Sequence, residues 1–213
     1  GFLNLDNFSN SDAFTPEDME IAAAIGAQVS VALYRLLLEH RLELERERYE
    51  HMAHHDPLTE LANRRLFMES LERALLVAGR QESRVGVLFV DMNEFKAVND
   101  SYGHDAGDDV LIEAAERLRT CVRGGDVPAR LGGDEFGVIL MDIRGADAAQ
   151  VIHDKIQAAM AQPISLRERS ITISASIGIA IYPEDSSSLE GLLRVVDSAM
   201  YRKKTKNAED RSS

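Results

Sequence analysis

One cysteine, Cys121, stands among 213 residues. It excludes an intrachain disulfide framework, and a reducing compartment is its simplest setting. Basic residues are outnumbered, 24 Lys+Arg against 36 Asp+Glu, for a formal net charge of −12. A general binder of nucleic-acid polymers needs a cationic surface, so that partner is disfavoured; a nucleotide held through metal ions is not. No apolar run approaches the roughly 20 residues that cross a bilayer, and no signal-peptide pattern opens the chain. No membrane segment is therefore expected, and the cytoplasm is the expected location. Nor does an initiator methionine precede Gly1-Phe2-Leu3, as expected of a fragment of a longer protein. Internal repeats and low-complexity tracts are missing too. What is present, 45% hydrophobic and 28% charged residues, suits a globular protein and argues against wholesale disorder. The length allows one ordinary domain with a modest appendage.

The charge divides unevenly. Residues 1–50 hold 10 acids and 4 bases, half of the net charge in a quarter of the chain. Thr15-Pro16-Glu17-Asp18 is a helix start, with Thr15 as N-cap and Pro16 at the first helical position. From there to about His54 only Gly26 interrupts a composition of Leu, Ala, Glu and Arg, which predicts one long helix. Its apolar seam of Val29, Leu33 and Leu36 runs on into His40, Glu43 and Glu47, and pairs Glu43–Arg46 and Glu45–Arg48 are expected along it. A coiled coil that couples an upstream sensor is one reading; a terminal helix packed on its own domain is the other. His51 and His55 lie one helical turn apart, with His54 between, but without a third ligand they read as a solvated helix end. The helix stops before Asp56-Pro57, because a residue preceding proline is pushed out of the α region.

Beyond it the signals alternate. Helices are predicted at 63–78, 105–122, 147–160 and 188–204, and strands at 84–91, 127–131, 136–141 and 171–181. That order gives an α/β (α+β) sandwich, helices packed on a mixed sheet.

Three segments carry chemistry. In Arg130-Leu131-Gly132-Gly133-Asp134-Glu135-Phe136, two glycines permit a tight hairpin and leave room for another group beside the backbone. A polar hairpin tip is the plain alternative. Asp91 ends a hydrophobic strand; if the hairpin pairs with that strand, Asp91 and Asp134 meet at neighbouring strand ends. Clustered carboxylates there suit Mg²⁺ or Mn²⁺, which take oxygen ligands and bridge to phosphates, and two such ions clamp the oxygens of a nucleotidyl transfer. Third, the stretch from Phe95 and Lys96 through Asn99, His104 and Asp108 reads as a ligand-shaping loop before a helix. An Asn and an Asp are what guanine needs, the carboxylate accepting from N1–H and the exocyclic amine. Such a site rejects adenine, which would leave its polar groups unpaired.

On these segments the chain from about Asp56 to Lys204 resembles a GGDEF domain of the diguanylate cyclase family. The name-giving motif is Gly132-Gly133-Asp134-Glu135-Phe136, the entry motif Asp56-Pro57-Leu58-Thr59 with Asn63-Arg64-Arg65, and the strand-to-helix motif Asp91-Met92-Asn93, Phe95-Lys96, Asn99-Asp100, Gly103-His104 and Gly107-Asp108. The resemblance implies a palm-like sheet, as in nucleotide cyclases, that joins two GTP into cyclic di-GMP and two pyrophosphates. It implies metal at Asp91, the Met92 carbonyl, Asp134 and Glu135, with Asp134 or Glu135 taking the 3′-hydroxyl proton. Asn99 and Asp108 would read guanine, His104 would lie beside the substrate, and Phe95, Lys96, Gly132, Gly133 and Lys204 would complete its site. One GTP per subunit makes the active species a homodimer. Arg123-Gly124-Gly125-Asp126 has the spacing of the family's inhibitory Arg-x-x-Asp, so Arg123 and Asp126 are expected to bind the cyclic di-GMP product.

Some positions depart from the family. Glu60 replaces a usual Gly, Asn93 a common Asp, and Asn207 and Ala208 a Gly and a phosphate-binding Arg, although Asp197, Ala199, Met200, Tyr201 and Lys204 match. That last change favours a second possibility, a GGDEF module that binds nucleotide without turnover. The opening residues Gly1 to Asn7 and Ala13 to Thr15 resemble the end of a GAF sensory domain. The resulting division is a GAF-like remnant at 1–15, a signalling helix at 16–55, the GGDEF domain at 56–208 and a tail at 209–213.

Overall fold

A computed structural model of the chain describes residues 15–166 and 169–212. The GAF-like segment expected at the start lies, apart from Thr15, outside the described residues. The chain forms two compact units, Gly1–Ala53 and His54–Ser213.

In the first unit, α1 (Pro16–His54) is a single helix of 39 residues, about 58 Å long at 1.5 Å per residue. Its start is a reciprocal cap. The Asp18 amide donates to Thr15 Oγ1 at 3.2 Å, and the Thr15 amide donates to Asp18 Oδ2 at 2.8 Å. The apolar seam Val29, Leu33 and Leu36 is exposed. The ion pairs fall at i,i+4 rather than the expected i,i+3: Arg41–Glu45 at 3.4 Å and Arg46–Glu50 at 2.9 Å, with Glu43 adding to the field at Arg46. Set against the expectation of no membrane segment is one feature of this helix. An 18-residue window of α1 has a mean hydropathy of 1.7 with no more than two charged residues, so the helix is long and apolar enough to cross a membrane by length and composition. Gln28, Ser30 and Tyr34 break the run without lowering its average below that threshold.

The second unit is built on a five-stranded sheet in the order β1-β3-β4-β2-β7. Its strands are β1 (Ala62–Asn63), β2 (Arg84–Met92), β3 (Val127–Gly132), β4 (Glu135–Ile143) and β7 (Ala175–Tyr182). Only β1–β3 is parallel. The helices are α2 (Arg64–Gln81), α3 (Phe95–Tyr102), α4 (His104–Cys121), α5 (Ala146–Met160) and α6 (Leu189–Ser212). Strand alternation divides the core. Leu88, Val90, Met92, Phe136 and Val138 pack with Leu118 of α4 and Ile156 of α5. Val87 and Ile139 pack on the opposite face with Phe67 and Leu71 of α2 and Leu192 and Val196 of α6. A sheet covered on both faces explains why β2 reads as a continuous apolar run.

Two elements differ from the sequence expectation. The ligand-shaping loop contains a helix, α3, whose apolar residues Phe95 and Val98 sit three apart on the core face. The strand expected at 171–181 is divided. A small hairpin, β5 (Ile164–Leu166) with β6 (Arg169–Ile171), pairs separately, and β7 begins after Ser174, whose carbonyl is taken by the Asn93 amide at 2.8 Å.

Glu60 has φ 56°, in the left-handed region. A side chain there costs about 1–2 kcal/mol that glycine avoids, partly offset by the freedom glycine has when unfolded. Glu60→Gly is therefore expected to stabilise the fold by about 0.5–1 kcal/mol, read as a higher urea midpoint with unchanged m-value.

Candidate active site

The carboxylates meet through sheet register. Asp91 lies directly opposite Glu135 in the β2–β4 ladder, so the hairpin does pair with the first strand. Both fall on the sheet face that carries α2 and α6, because the flanking Val90, Met92 and Phe136 belong to the other face. The turn preceding Glu135 needs its glycines: Gly132 has φ 145° and Gly133 φ 53°, and a Cβ at either would meet nothing within 4 Å. Asp134 sits at its tip, half-buried, and its carbonyl accepts from the Met92 amide at 3.2 Å.

Arg130 clamps this turn, a role that the sequence reading missed. Its Nε and Nη2 donate to the Gly133 carbonyl at 3.0 and 2.8 Å, while Nη1 pairs with Asp56 Oδ1 at 3.1 Å. Asp56 in turn accepts from the Thr59 amide at 2.9 Å and the Thr59 hydroxyl at 2.8 Å. The entry motif and the hairpin are thus one braced unit. Burial pushes the Asp56 carboxyl up, but the Thr59 and Arg130 hydrogen bonds outweigh it and hold its pKa below the ordinary carboxylate value. A lowered folded pKa gives stability that is present above the unfolded value near 4 and is lost as pH falls through the folded one. The stability difference between wild type and Asp56→Asn is therefore expected to shrink below about pH 4, measured as urea midpoints against pH.

Asp91 is buried at 4% exposure. Its Oδ2 accepts from Lys204 Nζ at 2.8 Å. Its Oδ1 is buried with no hydrogen-bond partner, although buried carboxylate oxygens are ordinarily satisfied. The Lys204 ammonium is pulled up by its hydrogen bond to Asp91, against a smaller effect of burial, and feels Asp134 and Glu135 as well. Lys204 thus pairs directly with Asp91. An orphaned oxygen within an all-oxygen donor set fits Mg²⁺ or Mn²⁺. Among the described residues no three His, Cys, Asp or Glu side chains are gathered as a ready cage. Mg²⁺ does not need one, since it takes one or two carboxylates plus substrate phosphates and waters.

The neighbouring Asn93, unforeseen as a brace, is buried and donates to Ser174 Oγ at 2.8 Å while accepting from Ser176 Oγ at 2.8 Å. It ties the end of β2 to β7. Asn99, half-buried on α3, lies over the first turn of α4: a Cβ at Gly107 would stand 2.0 Å from Asn99 Oδ1 and 3.2 Å from Phe95 Cζ. Asp108, the residue after Gly107, is exposed, as are Lys96 and His104. A cavity of about 410 Å³ opens on the α2/α6 face, with Glu135 at its wall and Phe67, Phe89, Asp197 and Met200 around it.

Arg123 and Asp126 are also together, but bound to their own chain. Asp126 is buried; its Oδ2 accepts from the Arg123 amide at 3.1 Å and its Oδ1 from the Met141 amide at 3.0 Å. Arg123 Nη2 donates to the Met141 and Asp142 carbonyls. Both border a cavity of about 770 Å³ that Arg144 and Lys155 also line. The side chains of Asn207 and Ala208 lie outside the described residues.

Residues 53–210 match the family described as diguanylate cyclase, GGDEF domain. The chain belongs to the GGDEF family. Among relatives of this GGDEF chain, it is 43% identical over 189 residues to MucR of Pseudomonas aeruginosa, a bifunctional diguanylate cyclase/cyclic di-GMP phosphodiesterase, covering 84% of this chain and 27% of that protein. It is 46% identical over 163 residues to the diguanylate cyclase TpbB of the same species, covering 76% and 37%. The chain therefore spans about a third of the length of these curated relatives, or less. Its fold matches the coiled coil and GGDEF domain of DgcB from Caulobacter crescentus, solved with c-di-GMP, at a TM-score of 0.74 and 25% identity over 86% of this chain and 95% of that one.

Proposed function

We propose that this chain is the diguanylate cyclase module of a longer bacterial signalling protein working in the cytoplasm, and that it joins two GTP into cyclic di-GMP. The observation that carries the reading is the buried, unpartnered oxygen of Asp91, which stands directly opposite Glu135 in the ladder and beside the Asp134 turn. Asp91, Asp134, Glu135 and the Met92 carbonyl would hold Mg²⁺ or Mn²⁺, whose charge offsets that of the triphosphate and of the transition state.

The chain's own groups do the rest. Asn99 and Asp108 orient guanine through its Watson–Crick edge, with Phe95, Lys96 and His104 alongside. The open backbone at Gly132 and Gly133 admits the phosphates, and Lys204 exchanges Asp91 for a phosphate oxygen. Asp134 or Glu135 accepts the proton as the 3′-oxygen of one GTP forms a bond to the α-phosphorus of the other. The α–β phosphoanhydride bond breaks and pyrophosphate leaves; the same exchange on the second α-phosphorus closes the ring. Each subunit presents one GTP, so two copies face each other as a homodimer, and residues 16–55 form the helix that governs their approach to the 56–208 module. Product binds at Arg123 and Asp126, with Arg123 released from the Met141 and Asp142 carbonyls.

Incubating the dimeric protein with GTP and Mg²⁺ is expected to yield cyclic di-GMP and pyrophosphate. No product, or unchanged turnover after Asp134→Ala, overturns the reading. Calorimetric binding of GTP without turnover would establish the second possibility, favoured by Ala208 where the family carries arginine: a module that binds nucleotide to regulate a partner domain.

A further inference from the structure

His153 on α5 is 5% exposed, and no step above uses it. Its Nε2 lies 2.6 Å from Lys203 Nζ and its Nδ1 2.8 Å from Asp154 Oδ1. An ammonium only donates, so Nε2 is the acceptor and the ring proton sits on Nδ1, donated to Asp154. Asp154 Oδ1 also accepts from Gln150 Nε2 at 2.8 Å. The result is a directed chain, Lys203 to His153 to Asp154. Burial draws the Lys203 pKa below its ordinary value, and Asp154 partly offsets this.

The position of Lys203 gives the chain its meaning. Successive helical residues point about 100° apart, so one turn of α6 sends its two lysines to different places. Lys204 reaches Asp91 on the α6 face. Lys203 reaches around the edge strand β7 to α5, which packs on the opposite face. Apolar packing holds this turn only at its start. The α6 backbone is seated on β7 at Gly178, where a Cβ would stand 2.2 Å from the Val196 carbonyl oxygen and 2.5 Å from the Met200 amide nitrogen, and Met200 is the last buried residue of α6 among the described residues. Residues 201–205 are all exposed. Beyond Met200, the two lysine contacts are what tie the described residues of this turn to the rest of the module. When Lys204 gives up Asp91 for a phosphate, one of those ties is gone. Holding a long flexible side chain in place against its conformational entropy then falls to the other.

We infer that His153, through Lys203, is a positioning residue for nucleotide binding: the chain Lys203–His153–Asp154 holds the last packed turn of α6 so that Lys204 stays within reach of the GTP phosphates. This rests on the cyclase reading given above.

The test is calorimetric titration of the whole chain with 3′-deoxy-GTP and Mg²⁺, a nucleotide that cannot form the new bond, together with initial rates on GTP. Lys204→Met is expected to weaken binding about 10-fold. His153→Leu is expected to weaken it about fivefold, raising KM with kcat nearly unchanged. His153→Gln, whose amide oxygen can accept from Lys203, should recover most of that loss. In a Lys204→Met background, His153→Leu should have no further effect, because the group it positions is gone. Lys203→Met, at an exposed residue, should repeat the His153→Leu result and covers the case in which that variant does not fold. Additive losses, or His153→Gln behaving like His153→Leu, overturn the relay and leave the cyclase reading standing. No nucleotide binding by the wild type overturns both.

Discussion

Asp91→Asn is expected to lower cyclic di-GMP formation by about 10²–10³-fold while changing folding stability by no more than about 1 kcal/mol. The asymmetry follows from what each Asp91 oxygen does in the nucleotide-free chain. Oδ2 pairs with Lys204, whose side chain is 49% exposed, so solvent screening leaves that pair a modest contribution. Oδ1 is buried and unpartnered, a liability of about 1–3 kcal/mol for any polar group and more for a charged one. Asparagine keeps the volume, removes the uncompensated charge and can still accept from Lys204, so gain and loss nearly cancel. Function has no such cancellation, because a neutral amide is a far poorer ligand for a hard divalent cation than a carboxylate. Urea midpoints and initial rates measured on the same preparation check this, and the rise in thermal midpoint on adding Mg²⁺ should be smaller in the variant. If stability collapsed together with activity, Asp91 would be a fold residue rather than a ligand.

Much of this site was legible because it depends on local patterns. The apolar run ending in Asp91 predicts a strand, the glycine pair predicts a hairpin, and pairing the two brings Asp91 and Asp134 to neighbouring strand ends; the register that sets Glu135 rather than Asp134 directly opposite Asp91 is not in the pattern. The face that the pair shares follows from alternation alone. What escaped depends on contacts distant in sequence. Arg130 finds Asp56 across 74 residues, and Lys203 finds His153 across 50. Neither pair leaves a periodicity to read. Helix α3 escaped for a different reason: eight residues with a single apolar pair three apart resemble a polar loop, and Phe95 and Val98 become helical only by packing on the core. The Arg123–Asp126 spacing brings the two groups together, but it does not reveal that in the nucleotide-free chain Asp126 also accepts from the Arg123 and Met141 amides. At α1 an uninterrupted run and an averaged window ask different questions, so the helix that carries no long apolar run still has a high average over 18 residues.

Gly107→Ala tests the recognition half of the site and is expected to separate stability from specificity. In the first turn of α4 an alanine should gain up to about 1 kcal/mol of helix propensity over glycine. The space for its methyl is already filled, however, by Asn99 Oδ1 at 2.0 Å and Asn99 Cγ at 3.0 Å from the Cβ position. The clash falls on a flexible side chain rather than on backbone, so Asn99 swings away and the fold survives, with stability changed by less than about 1 kcal/mol. On the cyclase reading proposed above, guanine then loses one of its two readers while Asp108, exposed on the same turn, remains. The KM for GTP should rise about 10–100-fold, the range for losing a hydrogen bond in a desolvated polar site, and preference over ATP should narrow by a similar factor. Steady-state rates with both nucleotides give the numbers. Asn99→Ala alone should match Gly107→Ala in its effect on GTP, and the double variant should be no worse than either, because removing the amide vacates the space that the methyl needs. A Gly107→Ala protein with unaltered KM would mean that Asn99 does not touch the base, and guanine selection would then have to come from elsewhere in the pocket.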